Sequence, residues 1–187
     1  MHNQEQLNPI DPSGASVSLG SALNESTKAT GVYTVECFGP DGQPKWSDNF
    51  KNIVTVGGKN DALDKYLAGS SYTATWYVGL ISITSYTNPP ASGDTMASHG
   101  NWTEDQNYSQ GARPTAAWSA ASGGSKALSA ASVFSINATT TIKGCFLTTI
   151  STKGGTTGIL YSAGLFTGGD KAVANGDTLN VSYTASM

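Results

Sequence analysis

The chain has 187 residues, a formal net charge of −3 and only 12% charged side chains. That length suits one domain with its own core, and the ten scattered Lys and Arg residues form no basic run of the kind that holds nucleic acid. Gly fills 22 positions and Ser, Thr and Ala much of the rest, so turn formers and β-tolerant residues outnumber helix formers and a mainly β protein is expected.

Residues 1–30 are polar and rich in Ser, Gly and Asn, with isolated Ile10, Val17, Leu19 and Leu23. Alone, such a segment cannot bury enough apolar surface to offset its ordering entropy. It is expected to be an extended N-terminal arm in which those four residues touch a neighbouring subunit or partner, with residues 31–187 as the folded domain. The first residues, "MHNQEQLNPI", lack the basic and apolar regions of a secretory signal, and no stretch approaches a membrane span. A soluble protein made in a cytoplasm is expected, without a membrane partner.

From residue 31 the pattern sharpens. "VYTVECF" (32–38) alternates, "GPDGQP" supplies turn residues, and "KWSDNFKNIVTV" (45–56) follows, which predicts a β-hairpin. "GGKNDALDKYLAGS" (57–70) predicts one short helix, capped by Asn60 or Asp61, striped by Leu63, Tyr66 and Leu67, and ended by Gly69. "ATWYVGLIS" (74–82) is a nearly continuous apolar run, as in a strand buried on both faces. Residues 83–125 read as a long polar excursion. Beyond them, "ASVFSINAT" (131–139), "TTIKGCFLTTIST" (140–152), "ILYSAGLFT" (159–167) and a segment near 177–185 predict four more strands. About seven or eight strands with regular turn signals predict a single antiparallel β-sandwich, jelly-roll-like, with the helix capping an end or a face.

The excursion contains "GDTMASHGNWTEDQNYS" (93–109), where Asp94, Glu104 and Asp105 flank His99, one of the chain's two histidines. Zinc sites use two or more His or Cys ligands at set spacing, and calcium loops use alternating carboxylates. Neither pattern is present, and no metal or other cofactor is expected. A hydrolase built on Asp94, His99 and Glu104 is conceivable, but no GxSxG elbow accompanies it. The turn reading is more economical, because "GDTM" at 93–96 recurs as "GDTL" at 176–179, leading into a strand with no histidine nearby. In that reading Asp94 bonds its own downstream backbone, His99 bonds a loop carbonyl and Trp102 anchors the excursion. The segments "GGKND", "GGSK", "KGGTTG" and "GGDK" lack phosphate-loop spacing and are expected to be turns with solvated lysines. Cys37 and Cys145 lie in apolar runs and are expected as buried free thiols. Trp102 and Trp118 can serve either as core plugs or as partner contacts, stacking on a sugar among them.

Five stretches in order carry a resemblance: "WYVGLI" (76–81), "GDTMASHGNWTE" (93–104), "YSQGARPTAAW" (108–118), "SINATTTIKGCFLTTISTKGGTTGILYSAGLF" (135–166) and "GDTLNVSYT" (176–184). From about residue 50 to the end, the chain resembles small virion structural proteins encoded in tailed-bacteriophage genomes. The resemblance implies a non-enzymatic component of the virion, a decoration or cement protein on the capsid exterior, with no catalytic residues to transfer. Its implied partners are the major capsid protein and sister subunits, and a homo-oligomer such as a trimer suits local three-fold positions. A tail or fibre component with a carbohydrate-binding β-domain is the alternative. On either reading Ile10, Val17, Leu19, Leu23, Trp102 and Trp118 are the candidate contact residues.

Overall fold

A computed structural model describes residues 28–67, 69 and 75–187. The first sheet is built on β1 (Thr30–Phe38), which turns through Asp41 and Gly42 into β2 (Pro44–Lys51). Asp41 accepts the Gln43 N–H at 3.0 Å, and Gly42 takes φ +76°, a left-handed conformation that costs glycine little. Eleven more elements follow: β3 (Ile53–Val54), α1 (Val56–Leu67), β4 (Trp76–Ser82), β5 (Glu104–Asp105), β6 (Thr115–Ala116), β7 (Ser125–Ala127), β8 (Ser132–Ser135), β9 (Thr140–Thr148), β10 (Leu160–Leu165), β11 (Lys171–Val173) and β12 (Thr178–Ser186).

The strands form two antiparallel sheets. One runs β2-β1-β12, with β7 and β8 both pairing to the far side of β12. The other runs β3-β10-β9-β4, with β5 and β6 on β4 and β11 on β9. The protein is a mainly β sandwich, with one helix among the described residues, as expected. The pairing of β1 with β12 runs unbroken from Thr30↔Ser186 to Phe38↔Thr178, so the two ends of the described chain lie side by side.

The sandwich core lies between the sheets. Tyr33, Val35 and Cys37 of β1 and Leu179, Val181 and Tyr183 of β12 meet Val78 and Leu80 of β4 and Cys145 and Leu147 of β9. Tyr33 reaches across to share a 2.9 Å hydrogen bond with the Ser162 hydroxyl. On the opposite face of the second sheet a smaller cluster gathers Ile81, Phe146 and Ala163 with Met96 and Trp102 of the excursion. Leu80 and Ile81, or Cys145 and Phe146, thus point to opposite faces and both find cover. That is why "WYVGLI" reads as continuously apolar rather than alternating. Gly79 pairs with Phe146 in register, and a Cβ there would lie 2.1 Å from the Phe146 ring.

The helix differs from its sequence reading in start and orientation. It begins at Val56, not at Asn60 or Asp61, and its N-cap is Thr55, whose hydroxyl accepts the Gly58 N–H at 3.0 Å and donates to the Leu160 carbonyl. Gly57 and Gly58 disguise this start because glycine is a poor helix former. Gly58 is needed for proximity: a Cβ on it would lie 2.6 Å from the Tyr161 carbonyl oxygen of β10. Gly69 has φ +62°, consistent with the expected stop. The apolar stripe does not face the core. Val56, Leu63, Tyr66 and Leu67 are 51, 55, 88 and 73% exposed, while Gly58 is buried and Asp61, Ala62 and Lys65 are half-buried.

Candidate functional site

The excursion from Ile83 is bound down by its own polar residues. Asp94 accepts two hydrogen bonds on Oδ2, from the Ala91 N–H at 3.0 Å and from the Trp102 indole N–H at 2.8 Å. Trp102 is 1% exposed and packs on Phe146, with ring centroids 5.4 Å apart. His99 donates from Nδ1 to the Thr95 carbonyl at 2.9 Å and lies 4.3 Å from the Trp102 ring. Trp102 therefore serves as the plug that sequence reading offered as one alternative: its ring is enclosed by this chain's own residues.

Glu104 and Asp105 sit on β5, where alternation sends them to opposite sides. Glu104 receives the Arg113 guanidinium in a two-pronged ion pair, Nε to Oε1 at 2.9 Å and Nη2 to Oε2 at 2.8 Å. Both side chains are almost fully buried. The Tyr108 hydroxyl and the Gly154 N–H complete the Glu104 shell, and Arg113 also donates to the Ile150 and Gly155 carbonyls. Burial and the adjacent Glu104 carboxylate hold the Tyr108 phenol well above its usual range. Asp105 accepts from Ser82, Thr140 and the Asn107 N–H. Asp94 and His99 thus meet only through Trp102, Glu104 belongs to the Arg113 pair, and no hydrogen bond joins any two of the three. Among the described residues no three His, Cys, Asp or Glu side chains are gathered so as to hold a metal.

The recurring tetrapeptide is a repeated turn, of a different kind from the one expected. Asp94 and Asp177 each bond upstream, not downstream. In "ASGDTM" the Asp94 N–H donates to the Ala91 carbonyl at 3.1 Å while the Ala91 N–H donates back to the carboxylate at 3.0 Å. In "ANGDTL" the Asp177 N–H and the Ala174 carbonyl are 3.0 Å apart, and the Ala174 N–H reaches Asp177 Oδ2 at 2.8 Å. The third bond distinguishes the two: an indole N–H for Asp94, the Lys45 ammonium at 2.6 Å for buried Asp177. Burial alone would raise the Asp177 carboxyl, but Lys45, the Ala174 N–H and the Cys37 thiol together bring it below its ordinary 3.8. Cys37 itself is pushed up to about 11, by burial first and by Asp177 second, and burial raises Cys145 further. Both thiols are free and buried.

The lysines beside glycine pairs are not all solvated as expected. Lys153 donates to the Tyr108 carbonyl at 2.7 Å and lies 3.9 Å over its ring, Lys126 donates to the Ser119 carbonyl, and Lys171 pairs with Asp48 at 3.3 Å.

Beside α1 opens a hollow of about 570 Å³, walled by Tyr66, Trp76, Trp118 and Tyr161 and rimmed by Ala185 and Met187. Trp118, a candidate contact, is half-buried there, packing edge-on to Tyr183. Sequence reading missed Trp76, Tyr161 and Met187 as members of this surface: Trp76 and Tyr161 lie in apolar runs that pattern alone assigns to the core, and Met187 follows the last strand. Ile10, Val17, Leu19 and Leu23 lie outside the described residues. Among the described residues no helix is long and apolar enough to cross a membrane.

Fold and surface together define a β-sandwich in which Glu104, Asp105, Arg113 and Asp177 are engaged in internal contacts and an apolar helix face lies beside an aromatic hollow. No protein-family model matches the chain, and no curated protein matches its sequence.

Proposed function

We propose that the chain is a non-enzymatic structural protein of a tailed-bacteriophage virion, a capsid decoration protein that binds the outside of the head and bridges neighbouring subunits. The observation that carries this reading is the outward apolar face of α1. A helix that turns Val56, Leu63, Tyr66 and Leu67 to solvent and its Asp61–Lys65 ion pair toward the domain has its apolar side arranged for a partner. Three further features support the reading. Asp94, Glu104, Asp105 and Arg113 of the excursion are held by internal bonds. Low surface charge lets broad faces approach without desolvating many ions. The five ordered stretches resemble virion proteins. A protein that binds only the assembled shell stabilises it by mass action, and the partners are the major capsid protein and sister subunits, in a homo-oligomer such as a trimer.

The test is a Leu63→Glu, Leu67→Glu double variant. Folding stability should stay within about 0.5 kcal/mol of wild type, as for exposed positions, while co-sedimentation with purified heads is lost. Wild-type protein that fails to bind heads at all ends the decoration reading, and a variant that binds normally removes α1 as the contact.

The hollow favours one second reading, a tail or fibre protein that stacks sugars on Trp76, Trp118 and Tyr161. Binding to host polysaccharide on a glycan array, abolished by Trp118→Ala, would select it over the first.

A further inference from the structure

We propose that the outer face of the β2-β1-β12 sheet is the contact through which two copies of this chain dimerise, stacked sheet to sheet about a two-fold axis. Residues of a strand alternate between faces, and cross-strand partners share one. The burial of Tyr33, Val35 and Cys37 therefore sends Val32, Thr34, Glu36 and Phe38 outward, and Lys51 joins them by pairing with Val32. Val133 of β8, 43% exposed, extends the face beyond β12 through its pairing with Asn180. Val32, Phe38 and Val133 belong to neither core cluster, whereas the outer face of the second sheet is filled by Met96 and Trp102.

Two charges point to a second copy as the occupant. In the pairings of β1 with β2 and β12, the charged residues on this side are Glu36 and Lys51, and neither forms an ion pair among the described residues. Within one copy they stand too far apart to meet. Lys51 lies opposite Val32, four residues from Glu36, or about 13 Å along the strands. A two-fold axis that runs between the sheets and crosses β1 at Thr34 removes that separation. It lays β1 over the partner copy's β1 and brings the level of Val32 and Lys51 onto the level of Glu36. Each Glu36 then stands one strand, about 4.8 Å, to the side of the other copy's Lys51. Two equivalent ion pairs form, their long side chains spanning the roughly 10 Å between packed sheets. Thr, Asn and Ser fill the outer positions of β12 between them, so no further charge has to be desolvated. Nine residues of β1 and about four strand widths give a footprint of roughly 30 by 19 Å, at the low end of specific interfaces, which makes the dimer a weak one. The inference concerns the free protein and does not depend on the virion reading.

The experiment is sedimentation equilibrium of the full chain between about 1 µM and 1 mM, repeated on Glu36→Lys, on Lys51→Glu and on the double variant that carries both. These positions are exposed, so all three variants should keep the wild-type melting temperature to within a few degrees. The wild type should associate to a dimer within this range. Either single change places like charges together and should weaken the dimer on the order of tenfold or more. The double variant exchanges the charges and should return the dimer to within about threefold of wild type. Three results would overturn the proposal: a wild type that stays monomeric throughout or forms only trimers, single variants that dimerise like wild type, and a double variant as weak as the singles. Head binding is measured separately, so its loss or survival leaves this result unchanged.

Discussion

Arg113 uses four hydrogen bonds to satisfy its guanidinium without reaching solvent, two to Glu104 and one each to the Ile150 and Gly155 carbonyls. Removing one member of such a buried pair strands the other's charge, and this decides the sign of a mutation. Glu104→Ala should destabilise the protein by about 3–5 kcal/mol in urea denaturation, whereas Glu104→Gln, which keeps an acceptor, should cost less. An alanine variant within about 1 kcal/mol of wild type would mean that water reaches the guanidinium. Asp177 makes a different prediction. Its carboxyl is held below the ordinary value, with Lys45 the chief stabilising partner, so its contribution is present above the unfolded carboxylate range and is lost as pH falls through the folded value. The stability difference between wild type and Asp177→Asn should therefore shrink steadily on acidification below the ordinary 3.8. A difference that grows on acidification would reverse the assigned direction.

Among the elements, α1 shows where local pattern and packing part company. Spacing alone marks Leu63, Tyr66 and Leu67 as a stripe, and a stripe on a short helix ordinarily faces the core. Here Gly58 decides the matter, since its bare backbone is what lets the helix lie against Tyr161, and that contact turns the stripe outward. Gly58→Ala should accordingly destabilise the protein although alanine favours a helix by up to about 1 kcal/mol, because the new methyl meets backbone rather than a movable side chain. A variant with a raised melting temperature would show that the helix can shift at no cost. The helix start was hidden for the same reason: behind the Thr55 cap, the first turn holds Gly57 and Gly58, which read as a turn. The repeated "GDT" was legible as turn chemistry. The direction of its hydrogen bonds was not, since both upstream and downstream bonding suit an aspartate in that position.

For the whole molecule, the long strands and the two-sheet architecture were legible because each strand carries its burial pattern in its own residues. "VYTVECF" alternates because β1 has one buried face, and "WYVGLI" does not because β4 lies beneath both the other sheet and the excursion. The short strands β5, β6, β7 and β11 were not legible, since two or three residues hold no period. Nor could the sequence indicate that Glu104 meets Arg113 across nine positions, which depends on how the excursion folds back on β4 and the loop after β9.

The outward face of α1 also sets how an assembly built on it responds to temperature. Contacts made by leucine, valine and tyrosine with little charge among them draw on the release of ordered water, with enthalpy near zero around room temperature and a large negative heat-capacity change. Such a joint tightens on warming and loosens in the cold. Under the proposed decoration role, contacts through Leu63 and Leu67 would be firmest when warm and would release this subunit most readily on ice.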